Sequence, residues 1–136
     1  MIYTSYFAKL QDIPKDVVPI AICKYPPKWY RGLTYKVLAP PVYLLHAWKG
    51  GAVTEKDYIR VYKTYVLNNL TPQAVIDELI QMSGGRDVVL LCYEKIGDFC
   101  HRHLVADWLR QAGYECGEYG IRLPNETFEP VAEIDI

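Results

Sequence analysis

Five side chains that could carry chemistry lie within one short stretch of the sequence: Cys92, Glu94, Cys100, His101 and Arg102. A carboxylate and an imidazole can act as general acid and base, so Glu94 and His101 are candidates for proton transfer. A cysteine in the first turn of a helix has its thiolate favoured by the helix dipole and by nearby cations. We therefore predict that Glu94, Cys100 and His101 are catalytic. Arg102 has a forked donor group suited to phosphate or carboxylate, and we predict that it binds a ligand.

A buried strand and a helix must position these residues. Val88 to Leu91 is an unbroken apolar run, which is typical of a strand covered on both faces in a parallel sheet. Gly97 and Asp98 then break the chain and offer a helix cap, so we predict a helix that starts near Asp98. Functional side chains gather at such a junction because free backbone N–H groups and the helix dipole point there.

Helical spacing separates the two histidines of this stretch. Residues three and four apart share a face, so His101 lies with Leu104 and Val105 and faces the predicted sheet. His103 falls on the solvent side. Cys100 and His101 are adjacent, and on a helix they would point about 100° apart. That divergence argues against a single metal ion bound by both.

A second candidate region is the loop Lys24–Gly32, in which prolines favour an extended backbone and basic residues alternate with aromatic ones. This mixture suits an anionic ligand that carries a ring, although a stiff surface loop would have the same composition. We predict that four residues of this loop bind the ligand: Lys24, Tyr25, Tyr30 and Arg31.

The rest of the pattern predicts one α/β domain over residues 1–121, followed by an acidic tail over 122–136. The expected strands are Ile2–Phe7, Val17–Cys23, Val88–Cys92 and Tyr114–Ile121, with a further extended piece at Tyr35–Ala39. Helices are expected at Val42–Lys49, from a cap at Thr54 to about Asn69, from a cap at Thr71 to Ser83, and after Asp98. This order predicts a small, mostly parallel sheet of about four strands with helices on both faces, a three-layer, Rossmann-like architecture.

Composition limits the function classes. The chain has 136 residues, a net charge of −1 and 51% hydrophobic residues, which is ordinary for a soluble domain and gives no basic field for nucleic acid. No apolar run approaches the roughly 18 residues that span a bilayer, and the first residues lack a signal-peptide pattern. We therefore expect a cytoplasmic protein with no membrane or nucleic-acid partner and no cofactor. In that compartment all four cysteines are expected to be thiols.

The stretch Leu91–Leu109 resembles the signature of a bacterial and phage family of unknown function, the domain family numbered 488. Its pattern is a strand ending in Cys-x-Glu, followed by Cys-His-Arg at a helix. Tyr3–Tyr6 and Tyr25–Gly32 are also similar to one branch of that family. The resemblance covers most of residues 1–120. Many relatives carry Asp-x-Arg after the second strand, where this chain has Cys23 and Lys24, so the role of that arginine does not transfer. The resemblance implies the fold and the site, but no reaction.

Three hypotheses for the function follow from these residues. The first is an enzyme that acts on a small anionic, phosphorylated or nucleotide-like ligand in a crevice at the carboxyl ends of the strands. The second is a ligand-binding or regulatory module without catalysis. The third is zinc or iron binding through Cys92, Cys100 and His101. A cysteine phosphatase is disfavoured because Cys92 lies ten positions before Arg102, too far for the loop of five residues that those enzymes use.

Overall fold

The computed structural model describes residues 1–94 and 99–120. Within these ranges it contains five β-strands: β1 Ile2–Tyr6, β2 Val18–Ala21, β3 Leu33–Thr34, β4 Val88–Cys92 and β5 Cys116–Glu118. The same ranges contain four α-helices: α1 Val42–Lys49, α2 Glu55–Tyr65, α3 Pro72–Ser83 and α4 His101–Gln111. Short 3₁₀ turns span Phe7–Asp12, Lys36–Leu38 and Leu67–Asn69. The predicted acidic tail, 122–136, lies outside the described residues.

The five strands form one parallel sheet in the order β3-β2-β4-β1-β5. The predicted three-layer α/β architecture is confirmed, with one strand more than expected. The additional strand is Leu33–Thr34, which is too short to stand out as a periodic pattern. The extended piece that we expected at Tyr35–Ala39 is wrong, because Lys36–Leu38 instead forms a 3₁₀ turn after β3.

The central strand β4 divides the core into two layers because its side chains alternate between the faces of the sheet. Val88 and Leu90 belong to a cluster that includes apolar residues from all four α-helices. Val89 and Leu91 face the other way, where Phe7 and the loop after β2 cover the sheet. All five residues of β4 are buried, which explains the unbroken apolar run in the sequence.

The topology opens a crevice between the carboxyl ends of β2 and β4. The chain moves outward from β1 to β2 and β3, then returns to β4 and β5. Crossover connections between parallel strands are almost always right-handed. The connections that lead from β1 to β2 and β3 therefore lie on one face of the sheet, and those that lead to β4 and β5 lie on the other. The loop after β2 therefore packs on one face and α4, after β4, on the other. Ligands of open parallel sheets bind at such a switch point.

Two predicted helix starts have the expected caps. The hydroxyl of Thr54 accepts a hydrogen bond from the backbone N–H of Asp57 at 3.1 Å, and that of Thr71 accepts one from Ala74 at 3.3 Å. Helix α2 ends at Tyr65, earlier than expected, and a 3₁₀ turn continues the chain. No helix in the described ranges has both the length and the apolar composition needed to cross a membrane.

Candidate functional site

A crevice of about 360 Å³ lies at the carboxyl ends of β2 and β4. Six residues that line it were singled out from the sequence: Lys24, Tyr25, Cys92, Glu94, Cys100 and His101. The chain after β2 contributes the first two, and the end of β4 with the chain that follows it contributes the others. The structure thus brings the two predicted regions together at one edge of the sheet, as the parallel arrangement requires.

Tyr30 and Arg31 lie away from this crevice. Tyr30 is 8% exposed, and its hydroxyl donates to the carbonyl of Leu33 at 2.6 Å, which supports the pairing of β3 with β2. Arg31 donates to the carbonyl of Lys28 at 2.8 Å and lines a separate groove beside Phe7 on the opposite face of the sheet. The predicted loop is therefore split, and only its first two residues reach the candidate site.

Arg102 also occupies an unexpected place. Its side chain is 0% exposed and makes a forked ion pair with Glu118, with Nε 3.0 Å from Oε1 and Nη2 2.9 Å from Oε2. Its Nη1 donates to the carbonyl of Glu94 and to the sulfur of Cys92, the latter at 3.3 Å. These partners occupy the donors of the guanidinium, so Arg102 is not placed to contact a ligand directly as predicted. It instead supports the residues behind the crevice.

Glu118 is the partner that the sequence analysis missed. It lies on β5 and is 9% exposed, and Thr4 on β1 donates to its Oε1 at 2.7 Å. The available signal was a carboxylate inside the predicted strand Tyr114–Ile121, where a buried charged residue needs a partner. Helical spacing alone could not identify that partner, because Arg102 lies on α4 and Glu118 lies on a strand.

Cys92 and Cys100 are joined by a disulfide, so the expectation of four thiols is wrong for this pair. Cys23 and Cys116 are buried, and neither belongs to this disulfide. Cys100 is the N-cap of α4 with an extended backbone (φ −153°, ψ 145°), and the helix begins at His101. The predicted start near Asp98 was too early. Because Cys100 precedes the helix, its side chain can turn back towards the end of β4.

The orientation of His101 is fixed by one hydrogen bond. Its Nε2 lies 2.7 Å from the carbonyl oxygen of Ile22. A carbonyl only accepts, so Nε2 carries the hydrogen and Nδ1 presents a lone pair. Burial lowers the pKa of His101 to about 4, so the ring is neutral near pH 7. The predicted inward direction of His101 agrees with the structure, whereas His103 is half-buried instead of fully exposed, and burial lowers its pKa as well.

Cys92, Cys100 and His101 form a group with the composition of a metal site. Their ligand atoms all lie within 4.8 Å of one another, and all three residues are buried. The predicted divergence of Cys100 and His101 is wrong, because Cys100 lies before the helix and only His101 lies on it. Nδ1 of His101 is 3.9 Å from the sulfur of Cys100.

The family model that matches this chain covers residues 5–113 and is described as the active DUF488-N3 subclade, DUF488-N3a. The chain belongs to the DUF488 family. The resemblance noted from the Cys-x-Glu and Cys-His-Arg pattern is thereby confirmed at the level of the family. Comparison with curated proteins and with solved structures found no match.

The crevice of this DUF488 protein has further walls that its sequence did not reveal. Helix α1 contributes Trp48 and the exposed Lys49, and α2 contributes Tyr58. Phe99 packs edge-on against both rings, with centroids 5.2 Å from Trp48 and 4.9 Å from Tyr58. Helical periodicity indicates which side chains enter the core, but it does not indicate which other elements lie near the end of a helix. The sequence therefore could not place Trp48 and Lys49 beside Glu94 and Phe99.

Cys23 lines the same crevice of the DUF488 protein without sharing the reactivity expected of Cys100. Its side chain is buried at the end of β2, and burial raises the pKa of the thiol from 9.0 to about 11. A thiol of that pKa stays protonated near neutral pH and is a poor nucleophile. We therefore interpret Cys23 as a residue that lines the site without reacting.

Proposed function

We propose that this DUF488 protein is an enzyme that acts on a small anionic, nucleotide-like ligand in the crevice between β2 and β4. One observation carries the proposal: two lysines, a carboxylate and several aromatic rings line one crevice at the switch point of a parallel sheet. Its volume of about 360 Å³ suits a small molecule. The family model that the chain matches is described as active, which is consistent with catalysis.

The two lysines would recognise the anionic part of the ligand. Lys24 follows β2 and Lys49 ends α1, so they approach the crevice from different elements. A charge-assisted hydrogen bond contributes about 1.5 to 3 kcal/mol, so the loss of one lysine should weaken binding by about 10- to 100-fold. Arg102 is excluded from this role because its guanidinium is already paired with Glu118.

The aromatic side chains would hold a ring of the ligand. Tyr25 is 63% exposed at the rim, while Trp48, Tyr58 and Phe99 pack edge-to-face within the wall. An aromatic ligand gains from stacked or edge-on contact with such rings beyond the area that it buries. A nucleotide combines this ring with a phosphate, and therefore matches both parts of the crevice.

The carboxylate of Glu94 is the best candidate for general acid or base, since it is half-buried in the crevice and its backbone carbonyl is held by Arg102. His101 is better suited to accept a hydrogen bond at Nδ1 than to take up a proton, because its pKa is about 4. Cys100 could act as a nucleophile only after the disulfide to Cys92 is reduced.

The test is a panel of nucleotides, sugar phosphates and inorganic phosphate, run by thermal shift and calorimetry with and without reductant. We expect Lys24→Gln and Lys49→Gln to weaken binding of the best ligand by about 10-fold or more, while Lys56→Gln, an exposed change on α2 outside the crevice, leaves it unchanged. If no anion raises the melting temperature above a control of matched ionic strength, the proposed ligand class is wrong.

Turnover separates the enzyme from a binding module. The ligand found in the panel would be incubated with the wild type and with Glu94→Gln, and the products would be separated by chromatography. We expect the variant to bind the ligand but to turn it over at least about 100-fold more slowly than the wild type, in keeping with the usual contribution of a general acid or base. Tight binding without turnover by the wild type, in either redox state, would favour the regulatory module.

A further inference from the structure

Two cysteine sulfurs and one imidazole nitrogen, which are possible metal ligands, lie close together at the inner wall of the crevice. The sulfurs of Cys92 and Cys100 and a ring nitrogen of His101 lie within 4.8 Å of one another, on residues that are all buried. The proposed ligand contacts through Lys24 and Lys49 make no use of this group. Thiolate and neutral imidazole are the ligands that zinc prefers in proteins.

The imidazole is already oriented as a metal ligand. Nε2 of His101 donates to the carbonyl of Ile22, which leaves the lone pair of Nδ1 facing the cysteine sulfurs, with Cys100 Sγ at 3.9 Å. Metal-binding histidines usually donate their other ring N–H to a carbonyl or a carboxylate, which fixes the tautomer and the direction of the ring. The bond to Ile22 provides this outer support.

The backbone spacing of the two cysteines suits a shared ion. Their Cα atoms are 7.4 Å apart, whereas bonded cysteines usually have Cα atoms roughly 4.4 to 6.8 Å apart. Two thiolates on one tetrahedral zinc ion, each at about 2.3 Å, hold their sulfurs about 3.8 Å apart. A backbone separation of 7.4 Å accommodates that wider pair.

Arg102 completes the surroundings by donating to the sulfur of Cys92 at 3.3 Å, and a nearby guanidinium favours the thiolate. We propose that, once the disulfide is reduced, Cys92, Cys100 and His101 bind one zinc ion whose fourth position opens into the crevice. Two cysteines and one histidine with an open position is an arrangement that catalytic zinc sites use. Zinc in this position would lower the pKa of a bound water molecule in the crevice that Glu94 also lines.

Reduction of the disulfide between Cys92 and Cys100 requires an external reductant, for which we take a dithiol. The dithiol transfers two electrons and two protons, so the bond between Cys92 and Cys100 breaks, two thiols form and the reductant becomes a disulfide. Zinc then displaces the two thiol protons, which pass to solvent. Hydrogen peroxide reverses the sequence: the two thiolates form the disulfide, zinc is released, and the peroxide takes up two protons and becomes two water molecules.

The experiment uses the full chain, reduced and kept without oxygen, and titrated with Zn²⁺ or with Co²⁺ as a spectroscopic probe. We expect one bound ion per chain and, for Co²⁺, the near-ultraviolet absorption that marks cobalt–thiolate bonds. Protein oxidised with peroxide should lose this site. Reduced wild type that binds no metal, or oxidised protein that binds it equally well, would overturn the proposal.

Cysteine variants give the matched comparison. Cys92→Ser and Cys100→Ser should weaken metal binding by more than about 100-fold, since loss of an outer-shell partner alone costs about 10- to 100-fold. Cys116→Ser should bind the metal as tightly as the wild type, because Cys116 belongs neither to the ligand group nor to the lining of the crevice. If Cys116→Ser abolishes cobalt–thiolate absorption in a folded protein, the ligand assignment is wrong.

Protection of the cysteines from alkylation can be measured on the wild type, so this test does not depend on whether a variant folds. Bound Zn²⁺ should slow alkylation of Cys92 and Cys100 in the reduced protein, as followed by mass spectrometry of peptides, and equal alkylation with and without zinc would contradict the site. This inference does not depend on the proposed nucleotide-like ligand. Metal binding is measured without that ligand, and the anion panel can be run on the oxidised protein.

Discussion

Replacement of Glu118 by glutamine should destabilise the protein far more than an ordinary loss of one surface charge. Arg102 and Glu118 are 0% and 8% exposed at their side chains, and both carboxylate oxygens accept from the guanidinium. Glutamine has nearly the same shape, but its NH₂ group would point a donor at a donor. Arg102 would then be a buried charge without a counter-ion.

Removal of one partner from a buried ion pair costs about 3 to 5 kcal/mol. Domains of this size have a free energy of unfolding of about 5 to 15 kcal/mol, so the change removes a large part of it. Since each kcal/mol corresponds to about 3 to 4 °C at this length, the melting temperature should fall by about 10 °C or more. The measurement is urea unfolding followed by circular dichroism, in buffer without reductant so that the disulfide stays intact.

Two controls separate the pair from general effects of the mutation. Glu115→Gln changes an exposed carboxylate just before β5 and should alter the free energy of unfolding by at most about 0.5 kcal/mol. The double variant Arg102→Met, Glu118→Leu should lose at least about 2 kcal/mol less than the sum of the two single changes, because it leaves no unpaired charge. Additive losses, or a Glu118→Gln variant as stable as the wild type, would refute the buried pair.

Three further outcomes follow from the described contacts. His101→Ala should lower the free energy of unfolding by about 1 to 3 kcal/mol, because it leaves the carbonyl of Ile22 without its donor, whereas His103→Ala should cost clearly less; equal melting temperatures would contradict this difference. In the reduced, metal-free protein, Cys23 should resist alkylation at pH 8 and react faster as the pH approaches its pKa of about 11; rapid modification at neutral pH would contradict its burial. Thr71→Ala should cost about 1 kcal/mol through loss of the α3 cap, whereas Thr71→Ser, measured in the same unfolding assay, should keep most of it.

The sequence was most informative where local chemistry decides structure. Helix α3 was predicted with its cap because Thr71 and Pro72 supply a side-chain acceptor and a fixed φ at the first turn. The strand Val88–Cys92 was predicted because burial on both faces leaves an unbroken apolar run. Helix α4 was predicted with too early a start, because Gly97 and Asp98 offered a more familiar cap than Cys100.

The candidate site was predicted only in part because it depends on residues distant in the chain. Lys49 is one of 15 basic residues, and no local pattern places the end of α1 beside the loop after β4. The pairing of Arg102 with Glu118 joins a helix to a strand at the far side of β1, which helical phase cannot reveal. The disulfide between Cys92 and Cys100 was missed because the expected compartment argued for thiols.

The order of strands also bears on how the protein is made. Strand β1 lies between β4 and β5, so the first of the five described strands to be synthesised pairs with the last two of them. Thr4 and Glu118, which share a hydrogen bond beside Arg102, are 114 residues apart in the chain. Contacts between such distant segments close large loops and slow folding. A nascent chain on the ribosome therefore has to wait for β5 to emerge before Arg102 can be neutralised and the crevice can take its final form.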